Sequence, residues 1–192
     1  MKVGVIGLQG DVEEHLTALE KCGAEPVWIR SVAELEQVDA FIIPGGESTT
    51  IGKLMWESGM SKVVKKKVAE EKFPVWGTCA GMILVASRGD VQVKRTGQRL
   101  LGLMDAEVDR NAFGRQRESF EVNLDVKGIG RYRAVFIRAP AIVDVGENVD
   151  VLATFENKIV AVRQNNILGL AFHPELTGDT RIHEYLIKLR EM

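Results

Sequence analysis

Short apolar runs alternate with segments of helical periodicity through the first half of the chain. The apolar runs predict four buried strands, over Val3–Leu8, Pro26–Ile29, Ala40–Ile43 and Pro74–Gly77. The segments between and after them predict helices, over Asp11–Lys21, Val32–Leu35, Thr50–Glu57 and about Ser61–Glu71, with a further apolar run at Met82–Ala86. Because strands that alternate with helices are joined by crossovers and lie parallel, this half predicts an α/β layered fold.

The spacing of apolar residues also indicates which helix faces are buried. Val12, Leu16 and Leu19 share one face of the first helix, and Ser48 or Thr49 can cap the third helix. A last helix is predicted over Thr180–Arg190, with its apolar face formed by Ile182, Tyr185, Leu186 and Leu189.

The second half of the chain predicts strands with few helices between them. Phe120 and Val122 alternate with Glu121 and Asn123, which is typical of a half-buried strand. The strands are predicted over Ala106–Asp109, Glu118–Asp125, Arg133–Arg138, Val149–Phe155, Ile159–Gln164 and Leu168–Phe172. No Pro-, Gly- or Ser-rich linker marks a boundary, so we expect one domain over residues 1–192.

Composition narrows the class of protein. Of 192 residues, 45% are hydrophobic and 27% are charged, and the formal net charge is −2. A near-neutral chain lacks the basic excess that nucleic acids and membrane surfaces attract, so we expect neither as a partner. No apolar run approaches the roughly 18 residues of a membrane span, and the short apolar N-terminus is unlike a signal peptide. We therefore expect a soluble, cytoplasmic protein.

Cys79 is the strongest candidate for chemistry. Gly77 and Gly81 flank it two positions away on either side, between a buried strand and an apolar run. This spacing is typical of a nucleophile elbow, which projects the side chain outward and places it at a helix N-terminus that favours a thiolate. The amide of Ala80 could serve an oxyanion hole. The alternative is a buried structural cysteine, the role that we expect for Cys22.

His173 is the candidate base for this thiol. It ends the last predicted strand, and Glu175 lies two residues later, where an extended chain would place it on the same side. We expect the other two histidines, His15 and His183, to be surface residues. Three scattered histidines and two distant cysteines match no zinc spacing, and no P-loop or dinucleotide motif is present, so we expect no metal and no cofactor.

Two further features can bind an anionic group. The glycine pair at Gly45–Gly46 follows the third strand and can turn an amide towards an oxyanion, although a plain left-handed turn is the simpler interpretation. Four arginines surround a short segment at residues 111–114, and guanidinium groups suit a carboxylate or a phosphate. Surface salt bridges are the alternative for any one of Arg110, Arg115, Arg117 and Arg138.

Together these motifs resemble the triad-type, class I glutamine amidotransferases. The resemblance is closer to one branch, the glutaminase subunit of pyridoxal 5′-phosphate synthase. The matching segments span nearly the whole chain and are Gly7–Gly10, Pro44–Thr50, Gly77–Gly81, Arg110–Gln116, Ser119–Glu121, Phe136–Pro140 and Phe172–Thr177. Asp11 and Glu13 depart from the family pattern, which commonly has a small residue and an arginine there.

The resemblance implies a flavodoxin-like fold with three layers, a mixed and mostly parallel sheet flanked by helices, and a nucleophile elbow. It implies hydrolysis of L-glutamine to glutamate and ammonia, and delivery of the ammonia to a separate synthase subunit in a large hetero-oligomer. Cys79 would form a glutamyl thioester, His173 would act as acid and base, and Glu175 would orient His173. The amides of Gly46 and Ala80 would hold the oxyanion.

The resemblance also assigns the remaining site residues. Gln9 falls in the loop of the family that faces the synthase. The positions that match glutamine-contacting residues of the family are Gly46, Glu47, Ser48, Arg110, Ile137 and Arg138.

Other functions remain open on the sequence alone. The first alternative is another cysteine-elbow hydrolase, of the peptidase or deglycase type, and the second is the glutaminase subunit of a different amidotransferase. A third is a non-catalytic module that keeps the fold, against which the intact set of Cys79, His173 and Glu175 argues.

Overall fold

The computed structural model describes residues 1–114 and 119–190. The helices are α1 (Val12–Lys21), α2 (Val32–Glu36), α3 (Ser48–Glu57), α4 (Met60–Glu71), α5 (Ala80–Val85), α6 (Val91–Thr96) and α7 (Arg181–Leu189), and a short 3-10 helix spans Pro174–Leu176. The strands are β1 (Lys2–Ile6), β2 (Glu25–Ile29), β3 (Ala40–Ile43), β4 (Val75–Thr78), β5 (Ala86–Gly89), β6 (Met104–Asp109), β7 (Ser119–Val126), β8 (Gly130–Ile137), β9 (Ala141–Val145), β10 (Asp150–Phe155), β11 (Lys158–Gln164) and β12 (Ile167–Leu170).

A large mixed sheet forms the centre of the fold. Its strand order is β2-β1-β3-β4-β12-β11-β9-β6-β5, and β10 pairs with β11. The run from β2 to β12 is parallel throughout, as is the β5–β6 pair, whereas β9, β10 and β11 pair antiparallel with their neighbours. The predicted α/β fold, with a mixed, mostly parallel sheet flanked by helices, is confirmed.

Helices lie on both faces of this sheet. The chain passes from β1 through α1 to β2 at the edge, then returns through α2 to β3 on the other side of β1. Right-handed crossovers that run in opposite directions place α1 and α2 on opposite faces. α1 packs with α7, whereas α2 and α3 both contact α4, and α3 also contacts α5. None of the described helices is long and apolar enough to cross a membrane.

The β7–β8 hairpin forms a separate two-stranded sheet. A cluster of phenylalanines fastens it to the core: the rings of Phe120 and Phe136 stack 4.7 Å apart, and Phe136 lies 5.6 Å from Phe172. Phe113 joins the same cluster, 5.5 Å from Phe120. The end of β8 is therefore held against the segment that follows β12.

The described part of the chain contains four elements that the sequence pattern does not predict. They are β5, α6, β9 and the 3-10 helix at Pro174–Leu176. β5 begins directly at the end of α5 without a turn residue, and α6 has a single buried apolar side chain, Val93. β9 buries its first two residues in sequence and shows no alternation. Glu118, the first residue of a predicted strand, lies outside the described residues.

The expectation that Ser48 or Thr49 caps α3 is wrong. Glu47 occupies the cap position, and its carboxylate accepts hydrogen bonds from the amides of Thr49 and Thr50 at 3.2 and 2.8 Å. A hydroxyl oxygen can also cap a helix, but the two oxygens of the Glu47 carboxylate accept from two amides at once, and their negative charge complements the positive end of the helix dipole. The side chain of Ser48 is thereby left to face the interior.

The expectation that His15 and His183 are surface residues is also wrong, because both are fully buried. Val12, His15 and Leu19 form the buried face of α1, so His15 occupies the position that the apolar pattern assigned to Leu16. His183 packs from α7, and its Nε2 lies 3.1 Å from Nδ1 of His15. The Trp76 ring makes T-shaped contacts with both imidazoles, at centroid distances of 5.0 Å to His15 and 4.8 Å to His183.

Candidate active site

Four neighbouring parallel strands end at one edge of the sheet, and each leads into a segment with a predicted site residue. β1 leads to Gln9, β3 to Gly46, β4 to Cys79 and β12 to His173. The carboxyl ends of strands are where open α/β sheets bind their ligands. The topology therefore brings together residues that are up to 164 positions apart, from Gln9 to His173.

Cys79 lies at a strained turn between β4 and α5. Its φ is 49° and its ψ is −99°, a conformation that non-glycine residues rarely adopt and that is concentrated at functional sites. A Cβ on Gly77 would lie 2.3 Å from the backbone of Gly81, and a Cβ on Gly81 would lie 2.1 Å from the carbonyl oxygen of Ile43. The flanking glycines are thus required by close backbone packing, and the predicted elbow is present.

His173 and Glu175 form a buried pair. Nδ1 of His173 lies 2.7 Å from Oε1 of Glu175, and the side chain of Glu175 is 0% exposed. Glu175 reaches the ring from the 3-10 helix rather than from an extended strand, so the predicted contact forms through a different backbone geometry. The amide of His173 donates to the carbonyl oxygen of Val135 at 2.8 Å, which ties this segment to β8.

Burial and neighbouring charges set the protonation of this pair. Burial lowers the pKa of His173, but interactions with Cys79 and Glu175 outweigh it and raise the value to about 10. Burial raises the pKa of the Glu175 carboxyl, and the contact with His173 opposes that rise. Nε2 of His173 is buried and has no hydrogen-bond partner among residues 1–114 and 119–190, so this nitrogen is free to act on a reacting group.

Gln9 holds the segment that carries the predicted oxyanion amide of Gly46. Its side-chain oxygen accepts a hydrogen bond from the amide of Glu47 at 2.8 Å. Gly46 has a φ of 141°, and a Cβ there would lie 2.7 Å from the same oxygen of Gln9. The amide of Asp11 donates to the carbonyl oxygen of Gly45 at 3.3 Å. The loop after β1 therefore fixes the backbone of the loop after β3.

These segments enclose a cavity of about 480 Å³, within the usual range for small-molecule sites. It is lined by ten of the predicted site residues, which are Gln9, Gly46, Glu47, Ser48, Cys79, Ala80, Arg110, Ile137, Arg138 and His173. The eleventh, Glu175, is buried behind His173. The cavity also contains Asp11, Ile83, Gln92, Asn111 and Pro140.

Arg110 and Arg138 bring positive charge to the cavity. The guanidinium of Arg110 lies 3.3 Å from the Glu47 carboxylate, which links the loop after β6 to the loop after β3. Arg138 has a φ of 42°, and the preceding carbonyl oxygen, of Ile137, lies 3.8 Å from Sγ of Cys79. The other two arginines of the predicted cluster, Arg115 and Arg117, lie outside the described residues, as does Gln116.

Gln92 and Asn111 are site residues that sequence reasoning did not single out. Gln92 lies on α6, which was not predicted, and its side-chain oxygen accepts a hydrogen bond from Asn111 at 2.9 Å. Asp90 caps the same helix and also accepts from the amide of Arg110 at 3.0 Å. Asn111 belongs to a motif of the resemblance, so the motif could have indicated it. Gln92 had no such signal.

Asp11, His173 and Glu175 place one ligand atom each within 4.8 Å of one another, a spacing that could hold a metal ion. His173 and Glu175 already use their nearest atoms for the 2.7 Å contact described above. Asp11 lies 3.8 Å from the same ring nitrogen and its side chain is 46% exposed. A metal would break the His173–Glu175 contact, so the arrangement fits an orienting carboxylate better than a metal centre.

Cys22 lies away from the cavity. It follows α1, and its Sγ lies 3.8 Å from the carbonyl oxygen of Thr180 before α7. This contact accords with the structural role expected for Cys22, and burial raises the pKa of its thiol.

An α/β sheet with a cysteine elbow beside a His–Glu pair is the arrangement typical of cysteine-dependent enzymes that carry out acyl transfer. The sequence pattern of the SNO glutamine amidotransferase family matches residues 5–191, and the chain belongs to this family. Among curated relatives, the pyridoxal 5′-phosphate synthase subunit PdxT of Archaeoglobus fulgidus is 59% identical over 197 residues, covering 100% of this chain and 99% of the relative.

Two further comparisons agree with membership of this glutamine amidotransferase family. The protein of the same name from Methanocella arvoryzae is 51% identical over 193 residues, covering 98% of this chain and 97% of the relative. A crystal structure described as a glutamine amidotransferase superposes with a TM-score of 0.93 at 48% identity, covering 99% of both chains.

Proposed function

We propose that this chain is the glutaminase subunit of pyridoxal 5′-phosphate synthase. It hydrolyses L-glutamine to L-glutamate and ammonia, and a synthase subunit in a large hetero-oligomer uses the ammonia. The synthase builds pyridoxal 5′-phosphate from a pentose phosphate and a triose phosphate. The names of the relatives support the assignment, and the two free cysteines favour a reducing, cytoplasmic location.

The observation that carries the proposal is the position of Cys79. Its strained elbow ends β4, and the His173–Glu175 pair follows the adjacent strand β12, so nucleophile and base meet at one end of the cavity. A thiol nucleophile with a base that a third group orients is the general arrangement for acyl transfer.

The chemistry follows from these positions. The Cys79 thiolate attacks the side-chain amide carbon of glutamine, and the amides of Gly46 and Ala80 bind the developing oxyanion. His173 carries a proton at neutral pH and gives it to the departing nitrogen, which leaves as ammonia. The glutamyl thioester remains. His173 then takes a proton from water, the hydroxide attacks the thioester carbon, and glutamate leaves as the thiolate re-forms.

The cavity residues suit a small zwitterion. Arg110 and Arg138 supply positive charge for the α-carboxylate of glutamine, and Glu47 supplies negative charge for its ammonium group. Ser48 and the backbone of Ile137 complete the set proposed to contact the substrate. Gln9, which holds the oxyanion segment, is the residue through which we propose that the docked synthase acts on the site.

The test is glutamate release from glutamine by the chain together with the synthase of the same organism. We expect Cys79→Ala to abolish turnover and Cys22→Ala to leave it unchanged, since Cys22 lies outside the cavity. Undiminished turnover in the Cys79→Ala complex would overturn the assignment of the nucleophile.

Substrate preference and co-purification with the synthase separate the alternative functions. A peptidase or deglycase would prefer peptides or glycated amines to glutamine, and the glutaminase subunit of a different amidotransferase would fail to co-purify with this synthase. Preference for glutamine together with co-purification supports the proposal.

A further inference from the structure

A buried line of polar side chains continues behind His173, away from the cavity. Oε1 of Glu175 faces His173, and Oε2 lies 3.4 Å from Nε2 of His15. Nδ1 of His15 in turn lies 3.1 Å from Nε2 of His183. The side chains of His15 and Glu175 are 0% exposed, so neither is in contact with bulk solvent.

The unpaired atoms define the tautomers. Oε2 of Glu175 and Nε2 of His15 are buried, and neither has a closer hydrogen-bond partner in the described part of the chain. Burial, together with the facing His183 and His173, holds the pKa of His15 well below its usual value, so its ring is neutral and carries one proton. That proton belongs on Nε2, where a carboxylate oxygen faces it, and Nδ1 then accepts from His183.

His183 fits the donating role. Burial lowers its pKa to about 4, so it is neutral, and its Nδ1 is buried without a hydrogen-bond partner among the residues described. An unprotonated Nδ1 needs no acceptor, which leaves the proton of His183 on Nε2, facing His15. Each imidazole therefore directs one N–H along the line, from His183 to His15 and from His15 to Glu175.

We infer that His15 is a positioning residue, which directs its Nε2–H at Oε2 of Glu175 and so holds this carboxylate ionised and aimed at His173. The inference rests on the proposed function, in which Glu175 orients the base. A buried carboxylate with one oxygen unpaired loses the solvation of its charge, and one further donor restores part of it. The 3.4 Å contact is longer than a normal hydrogen bond, and such contacts often shorten when the substrate binds.

A purely structural role for His15 would be filled better by a leucine. The site on α1 lies between Val12 and Leu19, both buried, and beside the ring of Trp76. An apolar side chain packs there without leaving ring nitrogens to satisfy. The two imidazoles instead present polar atoms to each other and to Glu175, which is an arrangement that packing alone does not need.

The test compares His15→Leu with His15→Gln in the complex with the synthase. We expect His15→Leu to lower kcat about tenfold, with KM for glutamine within about twofold. The acidic limb of the kcat–pH profile should move up by about one pH unit, because Glu175 loses a donor to its charged form. The side-chain amide nitrogen of a glutamine can occupy the position of Nε2 of His15. His15→Gln should therefore keep kcat within about threefold and leave the pH of the acidic limb unchanged.

Two further variants separate this role from a loss of folding. Val12→Ala removes a buried side chain from the same helix face and should lower stability without moving the pH limb. His15→Asn places its amide nitrogen near Nδ1, which faces His183, and should behave like His15→Leu. Because stability itself falls towards acidic pH, the folded fraction of each variant is measured by circular dichroism at every pH and kcat is calculated for the folded enzyme, so that the comparison holds for a destabilised variant.

The inference is overturned if the His15→Leu profile superposes on that of the unaltered complex, or if His15→Gln is no better than His15→Asn. Absence of glutaminase activity in the unaltered complex would instead overturn the proposed function, so the two failures are distinguishable.

Discussion

His173 faces two regions that differ in almost every physical respect. On the cavity side, the Asp11 carboxylate lies 3.8 Å from Nδ1 and its side chain is 46% exposed. On the buried side, the Glu175 carboxylate lies 2.7 Å from the same nitrogen and is 0% exposed. Both groups are carboxylates, so distance and burial favour Glu175 as the one that orients the ring.

Burial strengthens the interaction of a carboxylate with its partner. Solvent screens an exposed carboxylate, and exposed ion pairs usually contribute less than about 1 kcal/mol. A buried carboxylate interacts strongly with its partner but needs donors for both oxygens, or its own protonation becomes favourable. Glu175 has His173 near one oxygen and His15 near the other, whereas the Asp11 carboxylate is 46% exposed and lies 3.8 Å from the His173 ring.

Neutralising each carboxylate in turn tests which of the two orients His173. We expect Glu175→Gln to lower kcat about 100-fold or more, because the imidazole loses both its orientation and the charge that supports its protonated form. Asp11→Asn should change kcat less than about threefold. The measurement is steady-state glutaminase activity of each variant in the complex.

Equal losses in these two variants would contradict the account, since they would show that Asp11 shares the orienting role. A loss in Asp11→Asn alone would reverse the assignment.

A change on the cavity side should affect binding rather than turnover. Arg110→Gln removes a cation that we propose for the α-carboxylate of glutamine, so KM should rise about tenfold with kcat within about threefold. Arg95→Gln, an exposed arginine on α6, is the matched control and should change neither constant. A fall in kcat at unchanged KM in Arg110→Gln would place this arginine on the reacting atoms instead.

The buried His183 should also make the stability of the fold depend on pH. The pKa of His183 is about 4 in the fold and ordinarily 6.5, so below pH 6.5 the unfolded chain binds a proton that the folded chain refuses. The measured quantity is the free energy of unfolding of the unaltered chain minus that of His183→Gln. As the pH is lowered from 6.5 to 4, this difference should decrease by at most about 1.4 kcal/mol per pH unit.

Above pH 6.5 this difference should be constant. Denaturant unfolding at several pH values measures it, with Lys188→Gln, an exposed change on the same helix, as a control that keeps the original slope. A difference between the unaltered chain and His183→Gln that does not vary with pH would show that His183 titrates normally in the fold.

The fold was predictable where each element has its own local signal. β1, β3 and β4 are apolar runs that end in glycine turns, and their predicted bounds differ from the observed ones by at most two residues. β5 and β9 carry no such signal, because pairing with β6 rather than local periodicity makes them strands. α6 has start and stop residues, Asp90 and Gly97, but only one buried apolar residue, Val93, so it lacks the apolar periodicity that predicts a helix. The elbow at Cys79 was visible because close packing against Ile43 leaves room only for glycine at Gly81.

The cavity side of the site was predictable from motifs, and the buried side was not. His15 stands beside Glu13 and Glu14, which suggested an exposed helix face. Neighbouring helix positions point in different directions, however, and Val12, His15 and Leu19 follow the 3–4 spacing of a buried face. Its burial depends on the packing of α1 against α7, which brings His183 from 168 positions away.

Covalent labelling by a substrate analogue identifies the nucleophile directly. A glutamine analogue with a diazoketone in place of the side-chain amide alkylates a thiolate only where the site binds it as substrate. In the complex with the synthase, peptide mass spectrometry should find one label per chain on Cys79, none on Cys22, and none in Cys79→Ala. Labelling of Cys22, or of no cysteine in a complex that still hydrolyses glutamine, would contradict the account.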